Sequence, residues 1–387
     1  MRVALVHDYL NQYGGAERVL EEMHALWPDA PVYVAIHDPA RMPATYRGWD
    51  IRASALNLIP FANRKHQALL PLLPHAFEGM DLSDYDLVVS SSSGFAHGVL
   101  TGPQQAHLCY CHSPPRFLWD YHAYARRERM GGVLRALVSP HLARLRVWDR
   151  VSAERADAWV ATSGVVRDRI AKYYGKPSEI LPPPVPVSRF EVGDGRGGYI
   201  LMLMRLVGWK RPDLVVEACN RLGLPLVVAG DGREMPRLRA MAGPTVRFVG
   251  RVGNEEMRDL YRDCRVFVLP AEEDFGITPL EAMASGRPVL ALGRGGALDT
   301  VKPGVTGAFF AEQTTECLVE ALSAFDERAY DPAIIRRHAE TYDSAHFRRR
   351  LHDLAEGALK ARRLPPVLSA NAAGDAGVPA RPRTAAA

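Results

Sequence analysis

The chain has 387 residues, 47% hydrophobic and 24% charged, which at about 100–200 residues per domain implies a globular protein of two domains. Its net charge of +4 fits anionic small molecules or an anionic lipid surface and is too small to argue nucleic acid. No run of about 18 apolar residues exists, which excludes a spanning helix, and the odd set Cys109, Cys111, Cys219, Cys264 and Cys317 reads as a reducing compartment.

The N-terminal MRVALVHDYL reads as a strand and not as a leader, because its apolar core is short and acid and turn residues follow at once. In NQYGGAERVL, Gly14 and Gly15 sit where the chain turns from strand to helix. They are either a plain turn or a place where backbone N–H groups approach an anion at a helix N-terminus. The apolar runs PVYVAIH, YDLVVSSS, HLCYCHS and AWVATSG follow, with helical patterns such as GAERVLEEMHALW between strands. HLCYCH has a metal-binding flavour, but Cys109 and Cys111 alternate along a buried strand and no second ligand pair has metal-like spacing. LPPPVPVSRF, residues 181–190, breaks the pattern, since successive prolines continue neither a helix nor a central strand. Strand-like runs then resume with YILMLMR, PLVVAGDG, VRFVG, VFVLPA and PVLAL, alternating with helical RPDLVVEACNRLG, EEMRDLYRDC and TPLEAMASG. Continuous apolar strands alternating with helices argue parallel sheets covered on both faces.

The expected organisation is two α/β halves, residues 1–184 and 185–340, a basic amphipathic helix at 341–363, and an Ala/Pro/Gly-rich disordered tail at 364–387. No P-loop and no G-x-G-x-x-G after the first strand is present. Arg205 is expected to close a strand, with Lys210 five positions on, before a helix beginning near Pro212. The pair is either two solvated charges or a clamp for a diphosphate. In AEEDFGITPLEAMASG, Gly276 permits a tight turn, Thr278 and Pro279 look like the cap and first residue of a helix, and Thr278 with Glu281 has capping-box spacing. Glu281 is therefore either a helix cap or a ligand for a ribose diol, and one carboxylate has oxygens enough for both. Glu273 lies in the loop before that helix.

With these motifs the chain resembles the retaining family-4 glycosyltransferases of GT-B fold, two facing Rossmann-like α/β domains with an interdomain cleft. CHSPPRFLWDY (Cys111 to Tyr121) and GRGGALDTV (Gly293 to Val301) resemble bacterial mannosyltransferase-like members acting in polysaccharide assembly. The resemblance implies a nucleoside-diphosphate sugar donor bound by residues 185–340 and an acceptor bound by 1–184, with the 341–363 helix packing back toward the first half, Arg205 and Lys210 on the diphosphate and Glu281 on the ribose. It puts Glu273 on the donor sugar, helped by backbone N–H groups around Phe275, Gly276, Ile277 and Thr278. It also puts the base along Val249 to Val252, including Gly250, Arg251 and Val252, the glycine pair Gly14–Gly15 at the phosphate from across the cleft, and His112 at the sugar near its reacting carbon. His112, Glu273, Arg205 and Lys210 are the expected catalytic set. The implied activity is hexosyl transfer, with mannose from GDP-mannose favoured over a UDP-sugar, or else epimerisation of a nucleotide sugar. No metal or other cofactor is expected. The acceptor is expected to be lipid-linked or an oligosaccharide. Basic, apolar segments at 59–77 and 121–150, the latter carrying Arg126, Arg127, Arg129, Arg135, Arg144, Arg146 and Arg150, suit an anionic membrane surface. Residence is expected in the cytoplasm, peripheral to the inner face of the membrane.

Overall fold

A computed structural model describes residues 1–127, 131–194 and 197–363. Arg129 and the 364–387 tail lie outside the described residues. Seven parallel strands form the first sheet: β1 (Val3–Leu10), β2 (Val32–His37), β3 (Ile51–Ala53), β4 (Leu87–Ser92), β5 (Ala106–Cys111), β6 (Ala158–Ala161) and β7 (Glu179–Ile180). Their spatial order is 3-2-1-4-5-6-7. Six more make a second parallel sheet: β8 (Ile200–Leu203), β9 (Leu226–Ala229), β10 (Val246–Gly250), β11 (Val266–Leu269), β12 (Val289–Leu292) and β13 (Gly307–Phe310). Their order, β10-β9-β8-β11-β12-β13, repeats the first. Central strands such as β4, β5, β9 and β12 are buried along their whole length, as strands covered on both faces must be, which is why they read as unbroken apolar runs.

Strand order reverses between β1 and β4 in one sheet and between β8 and β11 in the other. Such switch points open a crevice at the strand C-termini. The motif residues follow those ends: Gly14–Gly15 after β1, His112 after β5, Arg205 and Lys210 after β8, and Glu273 to Gly276 after β11. β8 stops at Leu203, so Arg205 stands two residues beyond the strand it was expected to close.

The final helix, Ser344–Arg363, buries Phe347, Leu351, Ala355 and Leu359 in one apolar cluster with Leu5, Leu20, Val34 and Leu108 of the N-terminal half. Ser344 Oγ donates to Glu22 Oε1 at 2.7 Å, and Arg348 pairs with the other Glu22 oxygen. The chain therefore crosses between the halves twice, through the proline segment and through this helix. No helix among the described residues is long and apolar enough to cross a membrane.

Candidate active site

The glycine pair opens the helix Gly15–Leu26, with Gly14 as an extended N-cap. A Cβ on Gly15 would stand 3.1 Å from Ile277 Cδ1, and Ile277 is the first residue of the helix Ile277–Ala284 in the other half. Two helix N-termini therefore meet across the cleft. Each carries unsatisfied N–H groups worth roughly half a positive charge, so the gap between them favours an anion.

The second helix does not start as the sequence spacing predicts. Its N-cap is Gly276, with φ +90° and ψ 93°, and no side chain caps it. Thr278 is the second helical residue and Pro279 the third, so the capping box does not form. Pro279 costs nothing there, because first-turn N–H groups lack intrahelical partners. Gly276 is needed for its positive φ. The adjoining loop is pinned from outside: Gly296 N–H donates to Glu273 O at 2.9 Å, and a Cβ on Gly296 would fall 2.3 Å from Phe275 Cα. The GRGGALDTV stretch is thus a buttress against the DFG loop.

Glu281 is 1% exposed, and both of its oxygens are engaged. Tyr261 OH donates to Oε2 at 2.9 Å, while Arg18 Nη1, from the opposite half, pairs with Oε1. Glu281, above all, raises the already high pKa of the Arg18 guanidinium. Burial, then Glu281, pushes the Tyr261 phenol well up, so it remains a donor. A ribose diol reaching Glu281 must share the carboxylate with Arg18 or displace it. Beside the pair lies a cavity of about 320 Å³ whose wall includes Arg18, Arg189, Asn254, Met257 and Glu281.

Lys210 Nζ pairs with Glu273 Oε1 at 2.6 Å, both largely buried. Lys210 also lies over the Trp209 ring at 5.2 Å, and Arg116 over the same ring at 5.6 Å. Arg205 is exposed and has no ion-pair partner among the described residues, so its charge is uncompensated. Gly250 (φ +76°) ends β10 and accepts from Gly230 N–H at 2.7 Å; Arg251 is exposed and Val252 partly buried beyond it. His112 Nε2 lies 2.8 Å from Ser91 Oγ. Burial, and then the neighbouring His7, hold the imidazole down at about 3 despite Asp8, so it is neutral at physiological pH.

The structure brings Gly14, Gly15, Phe275, Gly276, Ile277, Glu281 and the Lys210–Glu273 pair to the facing ends of the two sheets. It also adds residues that the motifs did not reveal. Asp274 accepts from Arg116 at 3.3 Å and from Arg169, while its carbonyl takes the Ser163 hydroxyl at 2.6 Å. Gly164 N–H donates to Asp299 Oδ2 at 2.8 Å. These contacts fasten the two halves around the DFG loop. Asp274 stands inside the quoted motif and Arg116 ends HSPPR, so each had a sequence signal. Arg18 stands three residues past the glycine pair in NQYGGAERVL and Tyr261 within EEMRDLYRDC, but nothing local points either of them at Glu281.

The sequence matches the family model "Glycosyltransferase Family 4" over residues 13–189 and "Glycosyl transferases group 1" over 188–339. A D-inositol 3-phosphate glycosyltransferase of Geodermatophilus obscurus is 31% identical over 229 residues, covering 50% of this chain and 51% of that protein. A GDP-mannose-dependent alpha-(1-6)-phosphatidylinositol monomannoside mannosyltransferase of Mycobacterium tuberculosis is 28% identical over 240 residues, covering 51% and 62%. The chain thus spans about half to three-fifths of the length of these relatives. Among solved structures, Anabaena Alr3699/HepE in complex with UDP-glucose superposes with a TM-score of 0.69 at 16% identity, covering 92% of this chain and 100% of that one. With the two models running together from residue 13 to residue 339, and two parallel-sheet halves in GT-B arrangement, the chain belongs to the family-4 glycosyltransferases.

Proposed function

We propose that this protein is a retaining hexosyltransferase that moves mannose from GDP-mannose to a lipid-linked or oligosaccharide acceptor in exopolysaccharide- or O-antigen-type assembly. The observation carrying this reading is the meeting of two helix N-termini at Gly15 and Ile277, with the uncompensated Arg205 and the Lys210–Glu273 pair also at the strand ends. That concentration of positive potential suits a diphosphate, in the ground state and more so as it leaves. Lys210 then exchanges Glu273 for phosphate oxygen, and Glu273 becomes free to accept from a sugar hydroxyl. Glu281 holds the ribose. The name of the Mycobacterium tuberculosis relative supports GDP-mannose as donor.

Retention follows from front-face displacement. The bond from the anomeric carbon to the diphosphate oxygen breaks, the acceptor oxygen bonds the same face, and its proton passes to the departing phosphate. Arg205, Lys210 and the helix ends carry the charge that builds on the leaving group, so no divalent ion is required. Support for a lipid-borne acceptor comes from the helix Gly132–Ser152. It packs Leu142 and Leu145 inward but leaves Val133, Leu137, Pro140, Val147 and Val151 exposed along one stripe, with Arg144 among them. Leu58 and Phe61 are exposed as well, the latter beside the exposed Arg64. An apolar stripe with interspersed arginines suits an anionic bilayer.

The test is a thermal-shift panel of GDP, UDP and ADP and their sugars, followed by turnover of the best donor with and without chelator. Binding to the native state alone raises the melting temperature. A shift with GDP and GDP-mannose, and turnover that survives chelation, is expected. A shift with UDP alone moves the donor to a UDP-sugar, donor conversion without acceptor indicates epimerisation, and no shift with any nucleotide sinks the reading.

A further inference from the structure

Behind the cleft, four polar side chains, three on separate elements and one in the loop after β5, form one line. Glu17 lies in the first turn of the helix Gly15–Leu26 and is buried; its Oε1 stands 3.6 Å from His7 Nε2. His7, on β1, is the register partner of Ser91 on β4, and its Nδ1 lies 3.1 Å from Ser91 Oγ. Ser91 Oγ in turn lies 2.8 Å from Nε2 of His112, just past β5. His7 and Ser91 are buried, whereas His112 is partly exposed. No hydrogen bond among the described residues engages His112 Nδ1, and that atom is not among the buried polar atoms left unpartnered. It is therefore the nitrogen that solvent or a ligand can reach.

The hydrogens on this line can be counted. At 3.6 Å the Glu17 carboxylate is beyond hydrogen-bond reach of His7 Nε2 but faces it, and a nearby acceptor oxygen favours the tautomer with its proton on Nε2, leaving Nδ1 bare. A bare Nδ1 needs a donor, and the only hydrogen on Ser91 Oγ must go there. Ser91 then has only lone pairs for its second neighbour, so His112 must donate from Nε2–H. A neutral imidazole with its proton on Nε2 has a lone pair on Nδ1.

We propose that Glu17, His7 and Ser91 are positioning residues that set the tautomer of His112, so that it offers the cleft a hydrogen-bond acceptor and not a donor. The ligand group this selects is a hydroxyl that donates, such as a sugar hydroxyl, in preference to a carbonyl or a phosphate oxygen. The direction of the line rests on Glu17 facing His7 Nε2; its use on the donor sugar rests on the function proposed above.

The experiment is 15N NMR of the full chain labelled at histidine, with His112 assigned by its loss in His112→Gln. Expected is a protonated Nε2 and a bare Nδ1 on His112 in the ligand-free protein. In Ser91→Ala and in Glu17→Leu the two nitrogens should move toward averaged values. With the best donor, kcat/KM should fall in both variants about tenfold to a hundredfold, by analogy with partners that orient metal-ligating histidines. Ser91→Thr keeps the hydroxyl and should restore the wild-type pattern, which separates loss of the relay from loss of packing. A proton on Nδ1 in the wild type, or the wild-type tautomer persisting in Ser91→Ala, overturns the proposal. If the tautomer is as stated but His112→Gln turns over normally, the role of His112 at the sugar fails and the relay stands.

Discussion

Arg18 should be replaced by methionine, which keeps most of its apolar stem and removes its charge. In the ligand-free protein its guanidinium is the counter-charge for a carboxylate that is 1% exposed, and it reaches that carboxylate from the other half of the molecule. Removing one partner of a buried ion pair costs about 3–5 kcal/mol, mostly from the charge left behind. Two features reduce that figure. Arg18 itself is 28% exposed, so water can enter at its end, and Tyr261 keeps its 2.9 Å bond to Glu281. A loss of ~2 kcal/mol is then reasonable, about 4–8 °C in melting temperature for a domain of this size. The assay is thermal unfolding of Arg18→Met, Glu281→Leu and the double variant, read as a cycle. An apolar pair leaves no orphaned charge, so the double variant should recover part of the loss, with a coupling of about 1–3 kcal/mol. A single-variant loss within about 0.5 kcal/mol, the usual range for surface changes, would show that Glu281 does not depend on Arg18. A double variant no more stable than Arg18→Met would show that the two do not act as a pair.

Lys210→Ala should lower kcat about 10²–10³-fold, the effect of one electrostatic donor at a developing anion; near-normal turnover rejects its place at the leaving group. His107 is fully buried beside Ser90, and burial holds its imidazole down at about 3, below the ordinary value of 6.5. The unfolded chain therefore binds the extra proton between those values, and stability falls as the pH drops through that window, by about 2 kcal/mol at pH 5. Urea midpoints at pH 7 and pH 5 should show the loss, and His107→Gln should remove that share of it; an unchanged difference refutes the assignment. Leu137→Asp should weaken co-sedimentation with anionic vesicles at low salt about tenfold or more, since burying one leucine contributes about 1.5–3 kcal/mol. Equal binding by the variant, or none by the wild type, removes the helix Gly132–Ser152 from the membrane reading.

Much of this protein was already decided by the sequence taken alone. Continuous apolar runs set the central strands, since a strand covered on both faces has no side that must be polar. The amphipathic pattern of the final helix is a local signal; its start, expected at 341, falls at Ser344. The start at Pro212 and the helix after Gly14–Gly15 were readable for the same reason. The strands β3 and β7 were not, because two or three residues carry too little pattern to separate a strand from a loop, nor was β13, which opens on a glycine and is only half buried.

The site divides along the same line. The motif residues could be named from their order in the chain, but what holds them could not. Thr278 and Glu281 have the spacing of a capping box, yet the carboxylate is taken by Tyr261, 20 positions away, and by Arg18, 263 positions away. Local spacing describes what a side chain can reach within its own turn. Tertiary packing offered the 1% exposed Glu281 a cation and a phenol, and for so buried a carboxylate a charge-assisted bond is worth more than a cap. The line from Glu17 to His112 was hidden likewise: its members sit at positions 7, 17, 91 and 112, and only the pairing of β1, β4 and β5 sets them side by side.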